Sequence, residues 1–159
     1  MAGLKIEFDQ FVKDHWSDQE IKNAQLVVDF VQNLMNNHDF DYITDKFGNG
    51  PYTQHNRSMI DGVNGVVDYV SKFAKRFPDF TYDVKHIYAD GDYVTLHSHS
   101  TSNKKDRGNP NKGFNIIDIW KVENGQLVEH WDAIQPINGS MRFYALIVGG
   151  TVKNENTLF

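Results

Sequence analysis

Near Pro78 the chain changes hydrophobic rhythm, from helical spacing to the alternation of strands, and this constrains the fold more than any single motif. Ile21, Ala24, Val28, Val31 and Met35, joined by Leu26, Val27, Phe30 and Leu34, make one broad apolar helical face. Ser17-Asp18-Gln19-Glu20 ahead of it is a capping-box pattern, so the spacing predicts a helix from Asp18 to about Asn36. Residues 39–47 predict a second, short helix that Gly48, Gly50 and Pro51 break. Residues 52–57 read as a short extended piece. A third helix is expected from about Val63 to Arg76, with Val66, Val67, Val70, Phe73 and Phe77 inward and Pro78 as its stop.

Strands follow. Phe80–Ala89 turns at Asp90-Gly91 into Tyr93–Ser100, and a polar loop spans Ser102–Lys112. Phe114–Val122 then turns at Asn124-Gly125 into Gln126–Gln135. Helices first and a strand meander afterwards predict an α+β chain with helices on one face of an antiparallel sheet. Residues 1–16 fit a short helix or an arm. After Pro136, Met141–Val148 fits either a helical turn or an edge strand, and the polar end reads as a mobile or clasping tail.

At 159 residues and 40% hydrophobic content, one domain with a sizeable core is expected, its core at about 18–136 and its tail at 137–159. Aromatics reach 13%; such side chains fill cores and also line ligand cavities. The net charge of -5 argues against a nucleic-acid partner, and the short basic run at Lys104-Lys105-Asp106-Arg107 is interrupted by an acid. The chain has no cysteine, which removes disulfides, thiolate catalysis and Cys-type zinc sites and fits a reducing cytoplasm. Met1–Phe11 has no long apolar run, so no secretory leader is expected, and no apolar run is long enough to span a membrane.

The informative residues are polar groups in apolar strands. Asp118 lies within Ile116-Ile117-Asp118-Ile119-Trp120, where a buried carboxylate is costly unless it is paired or functional. Alternation puts Phe114, Ile116, Asp118 and Trp120 on one face; in the next strand Val128, His130, Asp132 and Ile134 share a face. A two-residue Asn124-Gly125 loop would set Asp118 opposite Trp131. A three-residue loop with Gly125 in a bulge would set Asp118 opposite His130 and Asp132 opposite Ile116. The second register is favoured because it gathers Asp118, His130 and Asp132 on one side.

A His beside two carboxylates can do acid–base work near neutral pH; the plain alternative is a buried ion pair that only orders the sheet. Tyr52, Gln54, His55 and Asn56 place donors and acceptors at the mouth of a cavity whose walls would include Phe114, Ile116 and Trp120. His97-Ser98-His99 is a weak metal-ligand pattern without a third ligand. A solvated or partly pocket-lining strand, with His97 toward the ligand, is expected instead, and no metal. No phosphate-binding glycine loop, dinucleotide fingerprint or serine-hydrolase elbow is present.

Tyr52-Thr53-Gln54-His55-Asn56, Asp61-Gly62, Gly65, and the block from Asp118 through Glu129-His130-Trp131-Asp132 to Pro136 resemble the SnoaL-like family of the nuclear-transport-factor-2-like superfamily. The similarity is to the branch described as predicted aldol-condensation-catalysing proteins, and it runs over roughly residues 18–136. Lys121 stands where that branch usually has Arg, and Asn56-Arg57 where it usually has Asn-Pro. The resemblance implies a cone of helices on a strongly bent mixed sheet enclosing a pocket. It implies a homodimer through the sheet's outer face, where Trp131 and Glu129 would point. It also implies proton transfer by pocket Asp and His without a cofactor, with Asp118 and Asp132 as acid–base residues and His130 and His55 as partners. The expected function is a cyclase, aldol or isomerase type of acid–base reaction on a small, largely apolar carbonyl compound. The alternative is a domain of the same fold that holds such a molecule without turning it over.

Overall fold

A computed structural model describes residues 4–148 and 153–156. The elements are α1 (Asp18–Val31), α2 (Phe40–Phe47), β1 (Thr53–Gln54), α3 (Val63–Arg76), β2 (Thr81–Asp90), β3 (Tyr93–Thr101), β4 (Phe114–Glu123), β5 (Gln126–Pro136) and α4 (Gly139–Val148). Among residues 4–16 only a single 3-10 turn forms, at Phe8–Gln10. Met141–Val148 is helical, which decides between the two conformations the sequence allows. Among the described residues no helix is long and apolar enough to cross a membrane.

Helix α1 begins on the expected capping box: Ser17 Oγ accepts from the Glu20 backbone N–H, and the Glu20 carboxylate accepts from Ser17 N–H at 2.7 Å. Glu20 also accepts from the Gly91 N–H at 3.0 Å, tying the helix start to the β2–β3 turn. Bonds from the Ser17 side chain and the two backbone groups pull its pKa from 4.5 to about 2. A carboxyl depressed in the folded state adds stability above its unfolded value and loses it as pH falls toward the folded value. Glu20→Gln is therefore expected to flatten the acid-side loss of stability between pH 4.5 and about 2, read as melting temperature against pH.

The helix does not stop at its α-helical end. Gln32–Asn37 continue as a widened π turn, closed by His38 in the left-handed conformation at φ 54°. There Asn36 Nδ2 donates to Tyr82 O at 3.0 Å and Asn36 Oδ1 accepts from Tyr82 N at 2.7 Å. Asn36 thus serves the β2 backbone as a neighbouring strand would.

The sheet has five strands in the order β1-β5-β4-β3-β2, antiparallel except for the β1–β5 pair. Phe114, Ile116, Asp118, Trp120 and Val122 of β4 all point inward, where Phe30, Leu34 and the rest of the helical core meet them. Gly113, just before β4, has φ +84°, and a Cβ there would lie 2.0 Å from Ser100 O, so the close approach of the chain to β3 requires glycine.

The β4–β5 hairpin has the two-residue loop of the first expected register, but the residue opposite Asp118 differs from both expectations. Asn124 and Gly125 are left-handed, at φ 51° and 74°, so the hairpin loop has two residues and Glu123 pairs with Gln126. The extra residue comes two positions later: Val122 pairs with Leu127 but Lys121 with Glu129, which leaves Val128 as a bulge. The bulge reverses the alternation, so Leu127 and His130 are both buried. Asp118 consequently faces Asp132, and His130 faces Trp120, in place of the expected Asp118–His130 and Ile116–Asp132 pairs.

Candidate functional site

Between the helices and the sheet's inner face lies a cavity of about 520 Å³. Phe30, Leu34, Val66, Val70, Phe80 and Phe114 are among its apolar walls. Asp118, His130, Asp132, Tyr52 and Asn56 form a polar end. One His or carboxylate atom from each of Asp118, His130 and Asp132 lies within 4.8 Å of the others, which is also a donor set able to hold a metal ion.

The hydrogen bonds fix where protons sit. Gln54 is fully buried behind His130, and its Oε1 accepts the Asn56 backbone N–H at 2.8 Å. That bond identifies the oxygen of the amide. The same oxygen lies 3.0 Å from His130 Nδ1, so Nδ1 carries a hydrogen and donates it. His130 Nε2 faces Asp118 Oδ1 at 3.2 Å, so a single proton bridges the two. Burial drives the Asp118 pKa up; the bond to His130 and its charge oppose this, and the facing Asp132 adds to the rise. Asp118 Oδ2 is buried and has no hydrogen-bond partner among the described residues. Asp132 is half-buried, and its Oδ2 accepts from Asn56 Nδ2 at 2.7 Å.

Tyr52 completes this end. Trp120 Nε1 donates to the Tyr52 hydroxyl oxygen at 3.3 Å, which leaves the Tyr52 O–H to donate elsewhere. Burial, with a smaller push from Asp118 and Asp132, raises the Tyr52 pKa well above its ordinary value, and Tyr82 is raised for the same reasons. Both phenols stay neutral hydrogen-bond donors.

Of the residues singled out from sequence, Asp118, Asp132, His130, Tyr52, Phe114, Ile116 and Trp120 meet at the cavity, and Gln54 supports His130 from behind. His55 contributes to the wall, but its imidazole bonds Glu129 at 2.8 Å and stacks on Trp131 with ring centroids 4.7 Å apart. Glu129 and Trp131 point away from Asp132, as expected of the sheet's outer face. His97 is also on that outer face, bonded to His86 and Asn115, because Leu96, Ser98 and Ser100 take the inner positions of β3. Asn56 joins the site at its polar end, as its place beside Tyr52, Gln54 and His55 suggests, whereas Tyr82 joins with little forewarning, because it alternates with Phe80 and Val84 like core.

A family profile described as SnoaL-like polyketide cyclase matches residues 25–138. The chain belongs to the SnoaL-like polyketide cyclase family. Solved structures agree on its nuclear-transport-factor-2-like fold. A candidate polyketide cyclase from Bacillus cereus ATCC 10987 superposes with a TM-score of 0.64 at 18% identity, covering 88% of this chain and 89% of its own. Bal32a, from a soil-derived mobile gene cassette, gives 0.60 at 16% identity over 80% and 99%. TsrD from Streptomyces laurentii gives 0.59 at 18% identity over 86% and 98%. A comparison with curated proteins finds no match.

Proposed function

We propose that this SnoaL-like cavity is a cofactor-independent acid–base site for a small, largely apolar carbonyl compound. The observation that carries the reading is the buried Asp118–His130 contact at 3.2 Å, with a second carboxylate, Asp132, directly opposite, in a cavity that is otherwise apolar. Environments that differentiate two neighbouring carboxyls mark one as acid and the other as base.

The Asp132 carboxylate, aimed by Asn56, removes a proton from the carbon next to the substrate carbonyl. The substrate oxygen accepts a hydrogen bond from the Tyr52 O–H and receives the Asp118 proton, which gives the enol. In a cyclase or aldol reaction the enol carbon then attacks a second carbonyl. The proton held on Asp132 passes to the new alkoxide, and the enol oxygen returns its proton to Asp118. Gln54, by holding Nδ1–H, turns the His130 Nε2 lone pair toward the protonated Asp118 before the transfer and after the proton returns. His55 acts at a distance, bracing β1 against Glu129 and Trp131.

The experiment is deuterium incorporation from D2O into an apolar ketone such as 2-tetralone, followed by NMR. Asp132→Asn is expected to slow incorporation by about 10²–10⁴-fold, the usual weight of a positioned base. Full activity in both Asp132→Asn and Asp118→Asn would remove this mechanism.

The outer face of the sheet, with Tyr88 58% and Tyr93 46% exposed, supports the homodimer that the resemblance implies. Sedimentation velocity is expected to give twice the chain mass; a monomer at micromolar concentration contradicts it. The cysteine-free composition supports a reducing, cytoplasmic setting.

A further inference from the structure

The segment from Gln54 to Asp61 carries the groups that aim the acid–base pair. Gln54 holds His130, and Asn56 holds Asp132. Yet this segment is weakly built into the sheet. Strand β1 has only two residues and pairs along one edge, with β5. On its other side the backbone carbonyls need partners.

Residues 153–156 supply them. Lys153 N donates to Arg57 O at 2.7 Å. The Asn154 amide donates to Asn56 O at 3.1 Å and to Met59 O at 2.9 Å. Asn156 Nδ2 donates to Gln54 O at 2.8 Å and to Asp61 Oδ1 at 3.1 Å, and Asp61 Oδ1 in turn accepts the Gln54 N–H at 2.8 Å. Asn156 N also donates to Asn154 Oδ1, so the two amides brace each other. Asn154 is buried, at 9% exposure. The segment is therefore a single layer of chain, with the C-terminal residues on one side and the acid–base pair on the other. The residues whose carbonyls are held, Gln54 and Asn56, are the same ones whose side chains hold His130 and Asp132.

We infer that the C-terminal segment is a working part of the site, with Asn154 as a positioning residue that acts through Asn56: the Asn56 side chain sets the aim of Asp132, and the Asn56 N–H holds the Gln54 oxygen that fixes the His130 tautomer. This rests on the acid–base reading for its catalytic consequence, though not for its geometry. The C-terminal segment lies beyond the stretch matched by the family profile, residues 25–138. Helix α4, which precedes this segment in sequence, lines the cavity with Tyr144 and Ala145.

The test reads the His130 ring nitrogens of the full-length, 15N-labelled protein by long-range 1H–15N correlation. Wild type is expected to show Nδ1 protonated. Asn154→Asp keeps the size of the side chain and removes both donated hydrogen bonds. It is expected to replace the Nδ1–H pattern with an average over both tautomers and to speed exchange of the Asn56 amide hydrogen roughly tenfold. Asn154→Gln, which restores an amide donor, is expected to recover the wild-type pattern in part. If Asn154→Asp does not fold, Asn156→Ala decides by the same two signals. An unchanged His130 spectrum in a folded variant overturns the inference. Because these signals need no turnover, they are read independently of ketone exchange: loss of the tautomer without loss of ketone exchange overturns the catalytic role alone.

Discussion

Asp118→Asn is expected to melt higher than wild type and to exchange ketone α-protons about a hundredfold more slowly. Both effects have one cause. Burial raises the pKa of Asp118, so this group favours folding fully below its unfolded value and withdraws that contribution as pH rises through its folded value. An amide has no charged form to bury. It also keeps the local geometry, because Asn Nδ2–H can donate to the His130 Nε2 that Asp118 faces at 3.2 Å. What it cannot do is hand over a proton. The gain in stability is on the order of 1 kcal/mol, or roughly 2–4 °C for a chain of this size, as is usual when a functional carboxylate is neutralised. The gap between variant and wild type is expected to widen from pH 4 toward pH 8. A variant that melts lower at pH 8 would show that Asp118 serves as a stabilising ion pair.

Phe30→Ala is expected to have the largest effect on stability. Phe30 is 1% exposed and stands where three aromatic contacts meet: edge-on to Phe47 at 5.1 Å, against Trp120 at 6.3 Å and against Tyr52 at 6.2 Å. Removing the ring costs about 3–5 kcal/mol through lost burial and the void left behind, a fall of roughly 10 °C in melting temperature. Because Tyr52 and Trp120 share a hydrogen bond at the polar end of the cavity, ketone exchange is expected to fall as well, even below the melting transition. Chemical denaturation and exchange at 15 °C check both. A cost under about 1 kcal/mol would mean that the helices repack around the gap.

Much of this was readable from residue order, and what escaped did so for definable reasons. Helices α1 to α3 announce themselves by apolar spacing, a capping box and Pro78; β4 alternates so strictly that Asp118 had to point inward. The pairing of Asp118 was not legible, because it depends on where one extra residue sits. A bulge at Val128 leaves little trace except that Leu127, not Val128, is in phase with the core. His97 was legible in principle: Val94 and Leu96 claim the inner face, which sends His97 outward. His55 was not, since its partners Glu129 and Trp131 reach it through a parallel pairing of distant segments. Asn154 and Asn156 carry no periodic signal at all. Their role is visible only once the carbonyls they meet are in place.

The most direct measurement is deuterium incorporation into bound 2-tetralone by the wild-type protein, with binding followed in the same samples by line broadening of the ligand. Incorporation at one α-carbon, well above the buffer rate and stereospecific, is the expected result for a site in which Asp132 takes the proton and Asp118 supplies one. A ligand that binds in the cavity and is recovered without deuterium would contradict acid–base catalysis and make this a binding domain of the same fold.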